Sequence, residues 1–159
     1  MASTVMLMRR WPRMTAAVSF GAAGSLIPAT WFLPSVLSRR DGVALVLFVV
    51  VPGAAAALAG ALAGAPLCDP ARTISERAAV VRGIAVAMFA LVIFAPMFAA
   101  LFAYTAPGRT NFLGMVVLVV TFSVLAIGGT AALVGGAMGW LLHHVVSSQD
   151  ATKPSSGFL

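Results

Sequence analysis

The side chains able to carry chemistry in this sequence are few and stand apart. His143 and His144 are adjacent, and neighbours on a helix point about 100° away from each other, so the pair cannot jointly grip one metal ion. No Cys or carboxylate is spaced to complete such a site. A haem held within a membrane would need histidine in the interior of a span, whereas these two come at the end of one and read as interfacial residues at a helix C-terminus. Cys68 is the single cysteine, can form no internal disulfide, and reads as a reduced, unreactive thiol beside Asp69 and Pro70. Asp69 stands three residues from Arg72, which can neutralise it, and Glu76 reads as part of a helix cap. The hydroxyls of Ser19, Thr121, Ser123 and Thr130 are expected to bond the carbonyls of their own helices rather than act as nucleophiles. No catalytic, cofactor-binding or metal-ligating residue is therefore expected, and the chain does not read as an enzyme.

One arrangement could serve transport instead of catalysis. A proline inside a helix frees a carbonyl one turn back, and Pro52 is followed at once by Gly53. If the helix broke there, its carbonyls together with the hydroxyls of Thr121 or Thr130 could form a site for a ligand or ion, as the discontinuous helices of transporters do. The plainer expectation for Pro28, Pro34, Pro52 and Pro96 is a set of kinks that neighbouring helices satisfy.

These residues have to be positioned by elements suited to lipid rather than water. Of 159 residues, 61% are hydrophobic and 9% charged, and the mean hydropathy is +1.04. Soluble domains carry about 25% charged residues, so a soluble fold is excluded, as is disorder. The uncharged stretches run for 25 residues between Arg13 and Arg39, 27 between Asp41 and Asp69, 26 between Arg82 and Arg109, and 40 between Arg109 and Asp150. A crossing of about 30 Å of hydrocarbon takes roughly 20 residues of helix. Each stretch holds one crossing, because Gly128-Gly129 has no polar flank that would let the last stretch turn in water. The sequence thus predicts an all-α integral membrane bundle of four transmembrane helices over 14–37, 43–65, 74–104 and 112–145. A basic amino-terminal segment over 1–13 precedes the helical domain of 14–146, and a flexible polar tail over 147–159 follows it.

The helix ends carry their own signals. Thr73-Ile74-Ser75-Glu76 has the form of a capping box, while Arg39-Arg40-Asp41-Gly42 and Ala106-Pro107-Gly108-Arg109 read as tight turns closing helical hairpins. Seven of the ten Lys and Arg residues fall on one side: Arg9, Arg10, Arg13, Arg72, Arg77, Arg82 and Lys153. Arg39, Arg40 and Arg109 fall on the other. Cytoplasmic segments retain positive charge, so both termini are expected inside, in an N-in/C-in bundle of a bacterial cytoplasmic (inner) membrane. Trp11 and Trp140 then lie at the inner interface and Trp31 and Tyr104 at the outer one. Arg9-Arg10-Trp11-Pro12-Arg13 before an apolar run resembles a signal peptide, but the run exceeds the usual h-region of about 7 to 15 residues, and an uncleaved first helix is expected. The formal charge of +6 is split into short clusters beside the spans. It reads as retention charge that touches anionic headgroups, not as a nucleic-acid surface.

The most specific pattern is a pair of small-residue faces. Gly53, Ala57, Gly60 and Gly64 recur at spacings of four, three and four, which places them on one side of a helix, and Gly128, Ala132, Gly135 and Gly139 repeat those spacings. Helices in lipid associate through close backbone approach, which small residues permit. Gly53–Gly64 and Gly128–Gly139 share six of twelve residues, mostly Ala and Gly, which hints at a duplicated hairpin but reads more simply as composition. The faces predict a helix-packing contact, either between the second and fourth helices or with another subunit. The expected function is a structural or accessory membrane subunit, with a membrane-protein partner or a homo-oligomer in the lipid bilayer. The alternative is a small oligomeric transporter or channel with its site at Pro52, Gly53, Thr121 and Thr130.

Overall fold

The computed structural model describes residues 11–39, 42–69, 74–105 and 111–150, apart from the side chains of 31–33, 35–39 and 149–150. Four long helices account for nearly all of them: α1 (Pro12–Arg39), α2 (Gly42–Leu67), α3 (Glu76–Thr105) and α4 (Phe112–Asp150). No strand occurs among the described residues. α2, α3 and α4 are each long and apolar enough to cross a membrane. α1 is 28 residues long and less apolar than α3 or α4, with Pro28 and Pro34 inside it. The outer surface suits lipid: Leu62, Leu125 and Leu133 are 70%, 81% and 77% exposed, too much large apolar area for a water-facing monomer.

α1, α2 and α4 extend beyond their predicted bounds, whereas α3 starts two residues later than predicted and ends one residue later. α4 is 39 residues long, about 58 Å at 1.5 Å per residue, and it continues unbroken through Gly128-Gly129. It also extends to Asp150, so Ser147–Asp150 are helical where the sequence predicts the start of a flexible tail. The Ser147 and Ser148 hydroxyls donate back to the carbonyls of His144 and Val145 at 3.2 and 3.1 Å, which satisfies these two hydroxyls within the helix. The predicted turns at Arg40-Asp41 and 106–109, the residues before Trp11 and those after Asp150 lie outside the described residues.

The start of α3 differs from the capping box in its register. Ser75 is the cap: its Oγ accepts a hydrogen bond from the Ala78 amide at 3.3 Å, and its carbonyl accepts from Ala79. Glu76 is therefore the first residue of the helix, and its carboxylate Oε1 accepts instead from Trp140 Nε1 at 2.7 Å. Thr73 lies outside the described residues. The Trp140 indole also stacks on His144, with ring centroids 5.4 Å apart and planes at 11°. This ties the start of α3 to the end of α4 and gives His144 an aromatic neighbour.

Pro52 does not break α2. The proline has no N–H to give, and its ring crowds the carbonyl one turn back. The preceding turn, Val46–Val50, accordingly widens into a π-helix closed by the Val51 amide on the Val46 carbonyl. A second π segment, Gly60–Gly64, follows the α-helical Val51–Ala59. Both wide turns are parts of one continuous helical segment, so local underwinding takes the place of the alternative expectation, a backbone opening at Pro52-Gly53.

Neighbours in sequence are neighbours in space: α1 packs on α2, α2 on α3 and α3 on α4, whereas α1 and α4 scarcely meet. The closest packing gathers where α1 begins, α2 ends, α3 begins and α4 ends, around Ala16, Phe20, Ala59, Leu67, Cys68, Ala79, Val86 and Leu142.

Candidate functional site

Both small-residue faces lie inside the chain, each against its own hairpin partner. On α2, a Cβ at Gly60 would stand 2.6 Å from the Ala16 carbonyl oxygen, and one at Gly64 would stand 3.0 Å from the Ala16 Cβ. Gly53 receives the Ser25 side chain, and Ala57 fills the space left by Gly21. The α2 face is thus mated to Ala16, Gly21 and Ser25 of α1. On α4, a Cβ at Gly135 would lie 2.5 Å from both the Ala87 Cβ and the Gly83 carbonyl oxygen, and one at Gly139 would collide with the Ala79 carbonyl oxygen. Gly128 is buried and faces Val124 and Met88 more loosely, at 3.8 and 4.0 Å, and Ala132 is half-buried beside it. The α4 face is mated to Ala79, Gly83 and Ala87 of α3. α2 and α4 do not use these faces on each other. Sequence reading missed the mating surfaces because each holds only one or two glycines; the small residues Ala79, Gly83 and Ala87, four apart, are their trace.

Residues of all four helices surround a cavity of about 410 Å³, within the range of roughly 300 to 1,000 Å³ usual for small-molecule sites. Its wall is almost wholly apolar. α1 contributes Phe20 and Ile27, α2 Phe48 and Pro52, α3 Phe94 and Phe98, and α4 Val119 and Phe122, and among the described residues the only polar side chains on it are Ser123 and Thr130. The phenylalanines make a connected group, with centroids 5.4 Å apart for Phe94 and Phe98 and 6.1 Å for Phe48 and Phe98. Edge-tilted rings at these distances attract one another beyond their area burial.

The four residues expected to form a transport site are only partly brought together. Pro52 and Thr130 line the cavity. Gly53 is buried against Ser25 of α1, and Thr121 is exposed on the outside of α4, donating to the Val117 carbonyl at 2.9 Å. Thr15, Thr30 and Thr105 likewise bond carbonyls of their own helices. Ser123 behaves differently. It is 3% exposed, lines the cavity, and makes no hydrogen bond with its side chain among the described residues.

His143 and His144 sit on the last turns of α4, and no group of three His, Cys, Asp or Glu among the described residues is placed to hold a metal ion. Cys68 is buried just beyond the end of α2, and burial pushes its thiol up to about 11. The thiolate is the reactive form, so Cys68 in the folded protein is expected to stay unlabelled by maleimide near neutral pH and to react fully after unfolding in sodium dodecyl sulfate. Fast labelling of the folded protein would place the thiol in water. None of the family models, curated proteins and solved structures compared with this chain matches it.

Proposed function

We propose that this chain is an integral membrane protein of four spans, with α1 as the fourth and both termini on the arginine-rich cytoplasmic side of a bacterial inner membrane. In this reading it works without catalysis, as an accessory subunit that holds an apolar, membrane-soluble molecule between its two hairpins. The cavity carries this reading. Its wall comes from every helix, it is apolar throughout most of its surface, and α1 and α4 leave the side between them nearly uncontacted. A molecule dissolved in the bilayer can pass through that side without crossing water. The small-residue faces, spent within each hairpin, make two firm half-shells, so the space between them is the part free to adapt.

A channel built on backbone carbonyls at Pro52 is the second reading, supported by Pro52 and Thr130 sharing the cavity. It is weaker because an ion needs a wall of oxygens, and here the ring of side chains is mainly phenylalanine and aliphatic.

Decylbenzene tests the proposal as a ligand with no polar atom. Titrated into the protein in nanodiscs, it is expected to show saturable binding, one per chain, that Ala131→Trp abolishes by filling the cavity while the helical circular dichroism stays unchanged. Non-saturable partitioning, equal in the two proteins, contradicts the proposal.

A further inference from the structure

Ser123 is the one polar side chain nine-tenths buried among the described residues, and it faces the cavity without a partner. No sealed side-chain oxygen or nitrogen among the described residues lacks a partner, so the Ser123 Oγ opens on the cavity, and a hydroxyl with no acceptor in a space filled by hydrocarbon costs free energy. Its neighbour two positions away, Thr121, shows the ordinary solution by bonding its own helix. The donor on Ser123 is left for something in the cavity.

Its depth narrows what that can be. With the outer edge of the hydrocarbon set at Phe112, next to the polar Asn111, Ser123 lies eleven residues along α4, about 16 Å of helix axis, near the middle of a layer of about 30 Å. The ester carbonyls of a phospholipid stay at the interface, so an acyl chain in the cavity would bring only methylenes to this hydroxyl. The antiparallel register, with Gly83 opposite Gly135 and Met88 opposite Gly128, sets Ser123 level with Ile93 and Phe94. The acceptor therefore meets the serine among flat aromatic walls.

Resting on the cavity reading above, we infer that the molecule held between the hairpins is a ring-bearing carbonyl compound with an apolar tail, of the quinone class. Its ring stacks among Phe94, Phe98 and Phe122, and its carbonyl oxygen accepts a hydrogen bond from Ser123. Binding alone is assigned; no electron transfer follows from these residues.

The test compares decyl-benzoquinone with decylbenzene, which has the same tail and a ring without carbonyls. Wild-type protein in nanodiscs is expected to bind the quinone more tightly, and Ser123→Ala, a nearly isosteric change, to weaken quinone binding by about tenfold, as loss of one buried neutral hydrogen bond does. Decylbenzene binding should stay the same in both, and Thr121→Ala on the lipid side should alter neither. If Ser123→Ala leaves quinone affinity unchanged, or the quinone binds no better than decylbenzene, the quinone assignment is overturned while the apolar cavity stands. If neither probe saturates, both readings fall.

Discussion

Gly83→Val is expected to separate α3 from α4 and to lower the melting temperature in detergent by roughly 6 to 12 °C, on the scale of about 3 kcal/mol for a chain of this size. A Cβ at this position meets the Gly135 carbonyl oxygen at once, with the Gly135 carbonyl carbon and the Gly139 Cα both 2.9 Å away. Every one of these atoms is backbone. No side chain can rotate aside, so the two helices must move apart along a whole turn and lose the dispersion contacts that replace hydrophobic driving force in lipid. Gly129→Val is the control on α4: a Cβ there meets nothing within 4 Å, and its melting temperature should stay within about 2 °C of wild type. Equal effects from the two variants would mean that the contact in question is not made within the chain.

Gly60→Val is expected to act on the other hairpin with comparable size. The added carbons fall on the Ala16 carbonyl group, with its oxygen at 2.6 Å and its carbon at 3.0 Å, and on the Phe20 Cβ at 3.1 Å. Ala16 and Phe20 belong to the buried cluster that also holds Ala59 and Cys68. Overpacking here costs on the order of 2 to 3 kcal/mol, and it should expose Cys68 as well. Maleimide labelling of the folded Gly60→Val protein should therefore rise above that of wild type, alongside the fall in melting temperature. A variant that melts normally and protects Cys68, yet loses a co-purifying protein, would show that this face serves a partner.

Much of the architecture was legible in the charge gaps, because a lipid-facing helix must be uncharged over a fixed length whatever its neighbours are. The stretches between Arg13 and Arg39 and between Arg109 and Asp150 each hold one long helix, and both small-residue faces are real surfaces. What spacing does not reveal is the surface opposite. Periodicity assigns Gly53, Ala57, Gly60 and Gly64 to one side of α2, but the mating residues on α1 are a mixture of Ala, Gly and Ser with no regular glycine repeat. The start of α3 was misread for a similar reason. Ser75 and Thr73 are both good caps by type, and the register that gives Glu76 to Trp140 depends on a contact 64 residues away in sequence.

The hydroxyls show the same limit on a smaller scale. Thr121 and Ser123 look alike in sequence, both being small and polar within one apolar run. Two residues apart on a helix, they point to nearly opposite sides. One closes on its own carbonyl at the lipid surface and the other turns into the space between the hairpins. Only the placement of the first hairpin decides which is which. Pro52 gave a correct warning of an irregular helix but not its form, since the freed carbonyl was absorbed by a wide turn upstream.

Carbene footprinting with a bilayer-dissolved diazirine tests most directly whether the small-residue faces are enclosed by the chain itself. Strong labelling is expected at Leu58 and Leu62 on α2 and at Leu125 and Leu133 on α4, which are exposed, with Ala57, Gly60 and Gly64 and Ala132, Gly135 and Gly139 spared. Labelling of either small-residue face as strong as that of Leu62 or Leu133 would contradict that enclosure.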